Sequence, residues 1–329
     1  MRATASAPAN IAFVKYWGAA DLERAEPLHP SISMTLESCR SITTVEALPR
    51  GDGDDVWLLD GEGGVAPAAV AFAAAVSRHL ARLRDRLPLP PALRVTTRNT
   101  FPAAAGIASS ASGGAALALA AARLLGIDPG PAQLAELARC GGSGSAARSV
   151  LGGYVEWPAD GVPDGPPVQL AGDGHWQLRD LVVVVDATPK GVSSREGHRR
   201  APTSPHFSTR RQLVPARLDR VRRAIAERDL AGLGPLLEEE AIELHLIAMS
   251  ARPPIFYWRP GTLAVLAAVR RLRDGGLAAW ATLDAGPNVH VICAAADATA
   301  VQRTLAALPE VLQVLADGVG SGPRIEEEP

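Results

Sequence analysis

Cysteine is scarce: the 329 residues contain only Cys39, Cys140 and Cys293, scattered and without metal-type spacing. That argues against a disulfide framework and suits a reducing compartment, so a cytoplasmic location is expected. Charge of one sign is not in excess either, with 33 basic against 35 acidic side chains. Near-neutrality argues against nucleic acid as the main partner. No apolar run reaches the roughly eighteen uncharged residues of a membrane span, except the alanine-rich stretch around Gly113-Gly114, whose small residues read as soluble packing. The opening "MRATASAPANIAFVKYWG" has no long apolar segment before a cleavage site, so no secretory signal is expected. The Gly-Lys-Ser/Thr ending of a Walker loop and the three-glycine spacing of a dinucleotide fold are both missing. Neither of those two phosphate-binding designs is indicated, and no internal repeat is found.

What is present is a hydrophobic fraction of 47%, ample for a large core or two domains. In "NTFPAAAGIASSASGGAALALA", Asn99 to Ala120, a proline turn and a lone glycine lead into a serine pair and a small-residue helix. A helix start carries unpaired N–H groups and partial positive charge, so it draws anions. Gly106 lets the chain turn, Ser109 and Ser110 bring hydroxyls, and the small residues after them leave room for phosphate near the backbone. The same residues also fit a serine-capped, buried helix with no ligand.

Strands are expected over Ile11 to Val14 and Ile32 to Leu36, then in "RSITTVEAL", "DDVWLLDG", "LRVTTRN" and "YVEW". Helices are expected over Ala68 to Leu87, with Pro67 at its start, and over Ala132 to Arg139. The segment "GGSGSAARSVLGG" reads as a second glycine- and serine-rich turn leading into a helix. After the Pro/Gly-dense loop "PADGVPDGPPVQLAGDGHW", a second half begins near the buried strand "LRDLVVVVDA". It continues with helices over Ala216 to Arg228, Leu230 to Met249 and Thr262 to Asp274, and with a strand, turn and strand in "LAAWATLDAGPNVHVICAAA". The expected fold class is α+β, in two similar-sized halves, residues 1–180 and 181–329.

Three polar constellations sit at turns beside apolar structure. The first is "ANIAFVKYWG" with Asn10, Lys15 and Tyr16; a lysine there also fits an ordinary surface residue laying its stem on the protein. In "GSGSAARS", Ser143, Ser145 and Arg148 offer hydroxyls and a guanidinium that can bind carboxylate or phosphate bidentately, or merely a cap and a surface arginine. The third is "LDAGPN", where Asp284 is either a turn former or an acid poised after a buried strand.

Taken in order, these segments resemble the mevalonate diphosphate decarboxylases of the GHMP small-molecule kinase superfamily. The family opening A-P-x-N-I-A-x-x-K-Y-W-G is "APANIAFVKYWG" here, and its phosphate loop N-N-F-P-T-A-A-G-L-A-S-S-A-x-G is "NTFPAAAGIASSASG". "GSGSACRS" becomes "GSGSAARS", "DVSS" appears within "GVSSRE", and "PPIFY" and "DAGPN" are unchanged, so the resemblance spans nearly the whole chain. It implies a two-domain GHMP kinase fold, the N-terminal half like ribosomal protein S5 domain 2 and the C-terminal half ferredoxin-like. It also implies ATP and Mg²⁺, a 5-phosphorylated mevalonate as substrate, and a homodimer.

By the same resemblance, Ala105, Gly106, Ile107, Ala108, Ser109 and Ser110 would hold the ATP phosphates, with Ser110 near the metal, and Ser193 and Ser194 would close over ATP and substrate. Asp284 would orient the C3 hydroxyl and take its proton. Lys15 would keep that carboxylate ionised, and Asn10 would orient Lys15, Asp284 or the substrate. Arg148 would hold the C1 carboxylate, Ser143 and Ser145 would assist, and Tyr16 with Arg195 would meet the 5-phosphate end. A kinase that stops after phosphorylating C3, or a non-catalytic descendant of the superfamily, are the competing readings; both Asp284 and Arg148 speak against the first.

The chain departs from the family at two places. The motif usually runs K-Y-W-G-K-x-D, with the second lysine facing the diphosphate, where this chain has Ala19. The family's P-x-N-S-S-x-S is "PLHPSIS", with His29 and Pro30 in place of small polar residues. A lost charge-assisted contact costs about 1.5 to 3 kcal/mol, so the expected substrate is mevalonate 5-phosphate rather than the diphosphate. Arg199 or Arg200 are the expected candidates to replace the missing charge.

Overall fold

The computed structural model describes the chain except residues 50–52, 60–64, 103–106, 108, 160–161, 163–164, 189–190 and 328–329. Its first half holds strands β1 (Arg2–Val14), β2 (Ala19–Asp21), β3 (Glu26–Pro27), β4 (Ser31–Ala47), β5 (Asp55–Leu59), β6 (Val65–Pro67), β7 (Leu93–Asn99), β8 (Tyr154–Trp157) and β9 (Val168–Ala171). Helices α1 (Val70–Arg84), α2 (Ser109–Leu124) and α3 (Pro131–Arg139) join them, with a 3₁₀ segment over Gly144–Val150. The second half contains β10 (Leu178–Val184), α4 (Ser194–Arg200), α5 (Phe207–Glu227), α6 (Leu230–Ser250), α7 (Pro260–Asp274), β11 (Ala279–Thr282), β12 (Val289–Ala294), α8 (Ala298–Ala306), β13 (Gln313–Gly318) and β14 (Arg324–Glu326).

Two sheets carry the architecture. The larger runs β14-β1-β4-β7-β5-β6, with β8 paired to β4 and β9 to β8; the smaller runs β11-β12-β10-β13. The residue pair 180 and 181, where the two halves were expected to divide, lies inside β10, and β14 returns the C-terminal end to the edge of the first sheet.

β1 positions most of the site. Ala3, Ala5 and Ala7 pack on the alanine face of α2, where small side chains on both elements let helix and strand approach closely. Pairing with β4 is irregular between Pro8 and Asn10 and again between Ala12 and Val14. Beyond the first irregularity, Ala9, Ile11 and Phe13 belong to a different core, shared with α5, α6 and β10. β1 is therefore the wall between the two halves, and its bulges re-aim side chains where the layers meet.

Several elements differ from expectation. β1 is far longer than the Ile11–Val14 stretch, because small Ala and Ser positions are buried without showing an apolar period, and β4 joins Ile32–Leu36 and the strand of "RSITTVEAL" into one. Pro67 ends β6 instead of starting a helix, and α1 spans only Val70–Arg84. The "GSGSAARS" turn leads into a 3₁₀ segment, not an α-helix. α5 begins at Phe207 and passes through Pro215. Among the described residues, no helix is long and apolar enough to cross a membrane.

Candidate active site

Lys15 follows the last residue of β1, and its side chain is 1% exposed. Its Nζ donates to Asp284 Oδ1 at 2.9 Å and to the Ala12 carbonyl at 2.7 Å. The backbone of Lys15 is clamped by the second half: its N–H donates to Glu240 Oε2 at 2.8 Å, and its carbonyl accepts from Arg210 Nη2 at 3.0 Å. Arg210 and Glu240 are both fully buried and pair with each other, while Arg217 donates to Glu240 and Glu243 completes the network. A buried charge is tolerable only when most of its hydrogen bonds are made; here both Arg210 Nη groups are bonded, while its Nε has no partner among the described residues.

Asp284 stands in the turn between β11 and β12. Asn288 pins that turn, its Oδ1 accepting from the Val185 and Asp186 N–H groups at 2.8 and 3.0 Å. The Asp284 side chain is 29% exposed, so a ligand can reach the oxygen that Lys15 does not use. Burial pushes its pKa upward, but Lys15, His290 and Arg148 outweigh that and hold it below the usual carboxylate range. It is thus ionised at neutral pH and a weak base.

Arg148 lies in the 3₁₀ segment at 2% exposure. Nη1 donates to the Ser31 hydroxyl, Nη2 donates to Asn10 Oδ1 at 3.4 Å, and Nε has no partner among the described residues. Burial lowers its pKa to about 10, opposed by the fields of Asp284 and Tyr16. No carboxylate among the described residues forms an ion pair with this guanidinium, so it can receive an anionic group of a ligand. Asn10 serves Arg148 rather than Lys15 or Asp284: its amide donates to Ser149 Oγ at 2.8 Å and to the Ser145 carbonyl at 3.3 Å.

The serines expected at two separate turns converge. Ser110 Oγ, in the first turn of α2, lies 3.4 Å from Ser143 Oγ, which is 3.2 Å from Ser145 Oγ. The first turn of α2 bears no acidic residue, and Ser109 lies beside Ser110, a donor set that suits phosphate. Ile107 points into the core, whereas Ala105, Gly106 and Ala108 lie outside the described residues. Ser193 caps α4 by accepting from the Glu196 N–H at 3.2 Å, with Ser194 as that helix's first residue. Among the described residues no cluster of three His, Cys, Asp or Glu could hold a metal.

Tyr16 packs edge-on against Trp157 and tilted on His198, with ring centroids 6.0 and 4.4 Å apart. Arg195 pairs with Glu23, which also binds Arg82. Arg199 and Arg200 are both taken up by Glu196, so neither replaces a charge lost at Ala19. His29 does not either: burial and the nearby Arg210 lower its pKa to about 4, which leaves it neutral. Other cations do act at this end of the site. Arg148, Arg139 and Arg195 all act on the Tyr16 phenol, opposing the upward push of burial on its pKa.

Sequence reading missed Glu240 and Arg210. Glu240→Gln should cost about 3 kcal/mol, because it leaves Arg210 and Arg217 buried around a neutral amide. The Glu240 pKa is about 2 against an ordinary 4.5. Its contribution is therefore complete above pH 4.5 and lost as pH falls through 2. Denaturant titrations at neutral pH should show the loss, and stability equal to the parent's there would remove this network from the account.

Fold and site together define a protein of the GHMP small-molecule kinase superfamily. The family model of the diphosphomevalonate decarboxylase-like N-terminal domain matches residues 7–164, and that of the mevalonate 5-diphosphate decarboxylase C-terminal domain matches residues 180–324. Human diphosphomevalonate decarboxylase is 38% identical over 306 residues, covering 88% of this chain and 76% of its own. Among solved structures, MDDEF in complex with MVAPP, AMPPCP and magnesium is 33% identical with a TM-score of 0.90, covering 100% of this chain and 99% of that one. Mevalonate diphosphate decarboxylase from Staphylococcus aureus is 30% identical, also with a TM-score of 0.90, covering 99% and 98%. The chain belongs to the mevalonate diphosphate decarboxylase family.

Proposed function

We propose that this protein converts mevalonate 5-diphosphate and ATP to isopentenyl diphosphate, ADP, phosphate and CO₂. The observation that carries the reading is Arg148, a buried guanidinium with a spare N–H and no carboxylate partner among the described residues, beside an ionised aspartate held by a buried lysine. Against the monophosphate expected from Ala19 stand the diphosphate named in the human relative and in both family models, and the arginines around Tyr16.

Asp284 accepts a hydrogen bond from the C3 hydroxyl and takes its proton as the γ-phosphoryl group arrives. Lys15 makes it a weak base, which suits a loose phosphoryl-transfer transition state in which proton removal lags behind phosphorus transfer. Bound Mg²⁺ neutralises charge on the nucleotide phosphates, which would lie against the start of α2 with Ser109, Ser110 and Ser143. Arg148 fixes the C1 carboxylate. Asp284 passes the hydroxyl proton to an oxygen of the newly attached phosphate, so that when the C3–O bond breaks and phosphate leaves, the developing carbocation faces a carboxylate again. The electron pair of the C1–C2 bond then forms the double bond, and C1 leaves as CO₂.

Purified protein with ATP and Mg²⁺, offered mevalonate, its 5-phosphate and its 5-diphosphate in parallel, tests this. The diphosphate should give the highest kcat/KM, with ADP and CO₂ in equal amounts. ADP without CO₂ would make the protein a kinase, and a higher kcat/KM with the monophosphate would overturn the substrate assignment.

A further inference from the structure

Behind the Asp284 turn lies a buried acid–base pair that no step of the proposed chemistry touches. His290 of β12 donates from Nδ1 to Asp180 Oδ2 of β10 at 2.7 Å, and both side chains are buried. Alternate residues of a strand point to opposite faces of its sheet. Val289, Val291 and Cys293 pack with α7 and α8, so His290 and Ile292 face the other way, toward β1. Thr282, at the end of β11, stands directly opposite His290. Leu283 turns into the α7 core, which leaves Thr282 and Asp284 on the His290 side. Lys15 Nζ meets Asp284 from the end of β1.

Such a pair is a costly way to join two strands, because apolar residues of similar size hold a sheet together as well or better. It is also incompletely bonded: His290 Nε2, Asp180 Oδ1 and Thr282 Oγ1 are buried and make no hydrogen bond among the described residues. The charges on neighbouring elements are taken up elsewhere. Asp317 of β13 accepts from the N–H groups of Glu37, Ser38 and Cys39. On α6, Glu240 is paired with Arg210 and Arg217, and Glu238 with Arg273. His245 of α6, which feels the field of Asp284, has its pKa lowered to about 4 by burial and is neutral above that pH. Burial also keeps the Cys39 and Cys293 thiols protonated. The Asp180 pKa is pushed up by burial, against the pull of His290 and Lys15. As pH falls, Asp180 therefore gives up its charge early and leaves the cation on His290 uncancelled.

We infer that His290, aligned by Asp180, is a positioning residue for Asp284: its imidazolium keeps that carboxylate ionised once substrate has bound. The inference rests on the function proposed above and deepens it. In that mechanism the C1 carboxylate takes up Arg148, one of the three cations whose fields act on Asp284, and the γ-phosphoryl group brings further negative charge toward the same carboxylate. Both changes favour protonating Asp284 before it can accept the hydroxyl proton. Lys15 and His290 are the cations of that set that remain. His290 acts through the buried interior, where salt and solvent screen little.

The test is a titration of the Asp284 carboxyl in His290→Gln, read by NMR of protein carrying ¹³C at its aspartate carboxyls and assigned by the signal missing from Asp284→Asn. The midpoint should rise by about one pH unit relative to the parent's. The acid limb of kcat, at saturating mevalonate 5-diphosphate and MgATP, should move up by the same amount. His290→Lys keeps a cation beside Asp180 and should leave both within about 0.3 unit of the parent's. Asp180→Asn combined with His290→Gln removes the unpaired acid that destabilises the single variant, and it should show the same rise. A midpoint that stays in place in the Gln variants would make the pair a structural tie and overturn the inference, whatever turnover does. Equal rises in His290→Gln and His290→Lys would overturn it too. Parent protein that releases no CO₂ would overturn the proposed function, and the NMR midpoints would still decide the role of His290.

Discussion

Asp284→Asn should lower CO₂ release by about a thousandfold or more while ATP still binds with nearly unchanged affinity. The substitution keeps shape and removes the negative charge on which the proposed chemistry depends twice, for the hydroxyl proton and for the developing carbocation. It also leaves the buried Lys15 ammonium with only the Ala12 carbonyl of its two acceptors as a full partner. Melting the variant separates a folding loss from a chemical one, and calorimetry with ATP checks the nucleotide end. In the parent protein, Lys15, His290 and Arg148 hold the Asp284 pKa below the ordinary carboxylate range despite burial. The acid limb of kcat/KM attributable to this residue should therefore lie below that range, with the rate lost as pH falls and the carboxylate becomes protonated. CO₂ release within about tenfold of the parent's would take Asp284 out of the mechanism.

Much of this was legible because polar residues at turns stand out against an apolar chain. Lys15 is one of only two lysines, the other being Lys190, among 33 basic residues, so its place after a buried strand carries a signal. "YVEW" and "LRVTTRN" were read with their bounds intact, since aromatic and β-branched residues mark strands and turn residues bracket them. β1 was mostly hidden: Ala3, Ala5, Ala7 and Ala9 are buried by close approach to other elements, and small residues bury without advertising it. The start of α5 was hidden by charge and by Pro215, whose missing N–H is tolerated in a helix packed on β1. In the site, the run "LEEEAIE" reads as a solvated helix face. Its neighbours Glu239 and Glu240 are respectively 49% and 0% exposed, and only the third dimension separates them. Arg210 was invisible for the same reason. The three constellations could be named along the chain, but the clamp that aims Lys15 at Asp284 comes from helices some two hundred residues later.

Arg148→Met should cut kcat/KM for decarboxylation by roughly a thousandfold, about 4 kcal/mol, and leave the protein as stable as before or more so. The two halves of that expectation have one cause. Burying a guanidinium without a carboxylate partner costs stability, and the lowering of its pKa to about 10 reflects that cost. An unbranched apolar side chain of similar length removes the penalty. The groups left behind are largely satisfied: Ser31 Oγ still donates to the Trp157 carbonyl at 2.9 Å, and the Asn10 amide keeps Ser149 and the Ser145 carbonyl. Ser31 Oγ and Asn10 Oδ1 each lose the bond they accept from the guanidinium, and the second of these is long at 3.4 Å. In the proposed mechanism, by contrast, catalysis loses the guanidinium that holds the C1 carboxylate while the C3 hydroxyl is phosphorylated, an orientation effect that thioether sulfur cannot reproduce. Calorimetric melting and steady-state CO₂ release on the same preparation read the two halves separately. A melting temperature well below the parent's would make Arg148 a structural residue, and turnover within about tenfold would remove it from substrate binding. An unchanged or raised melting temperature with turnover nearly lost would mean that this guanidinium is held at a cost to the fold for the sake of an anion the protein has yet to bind.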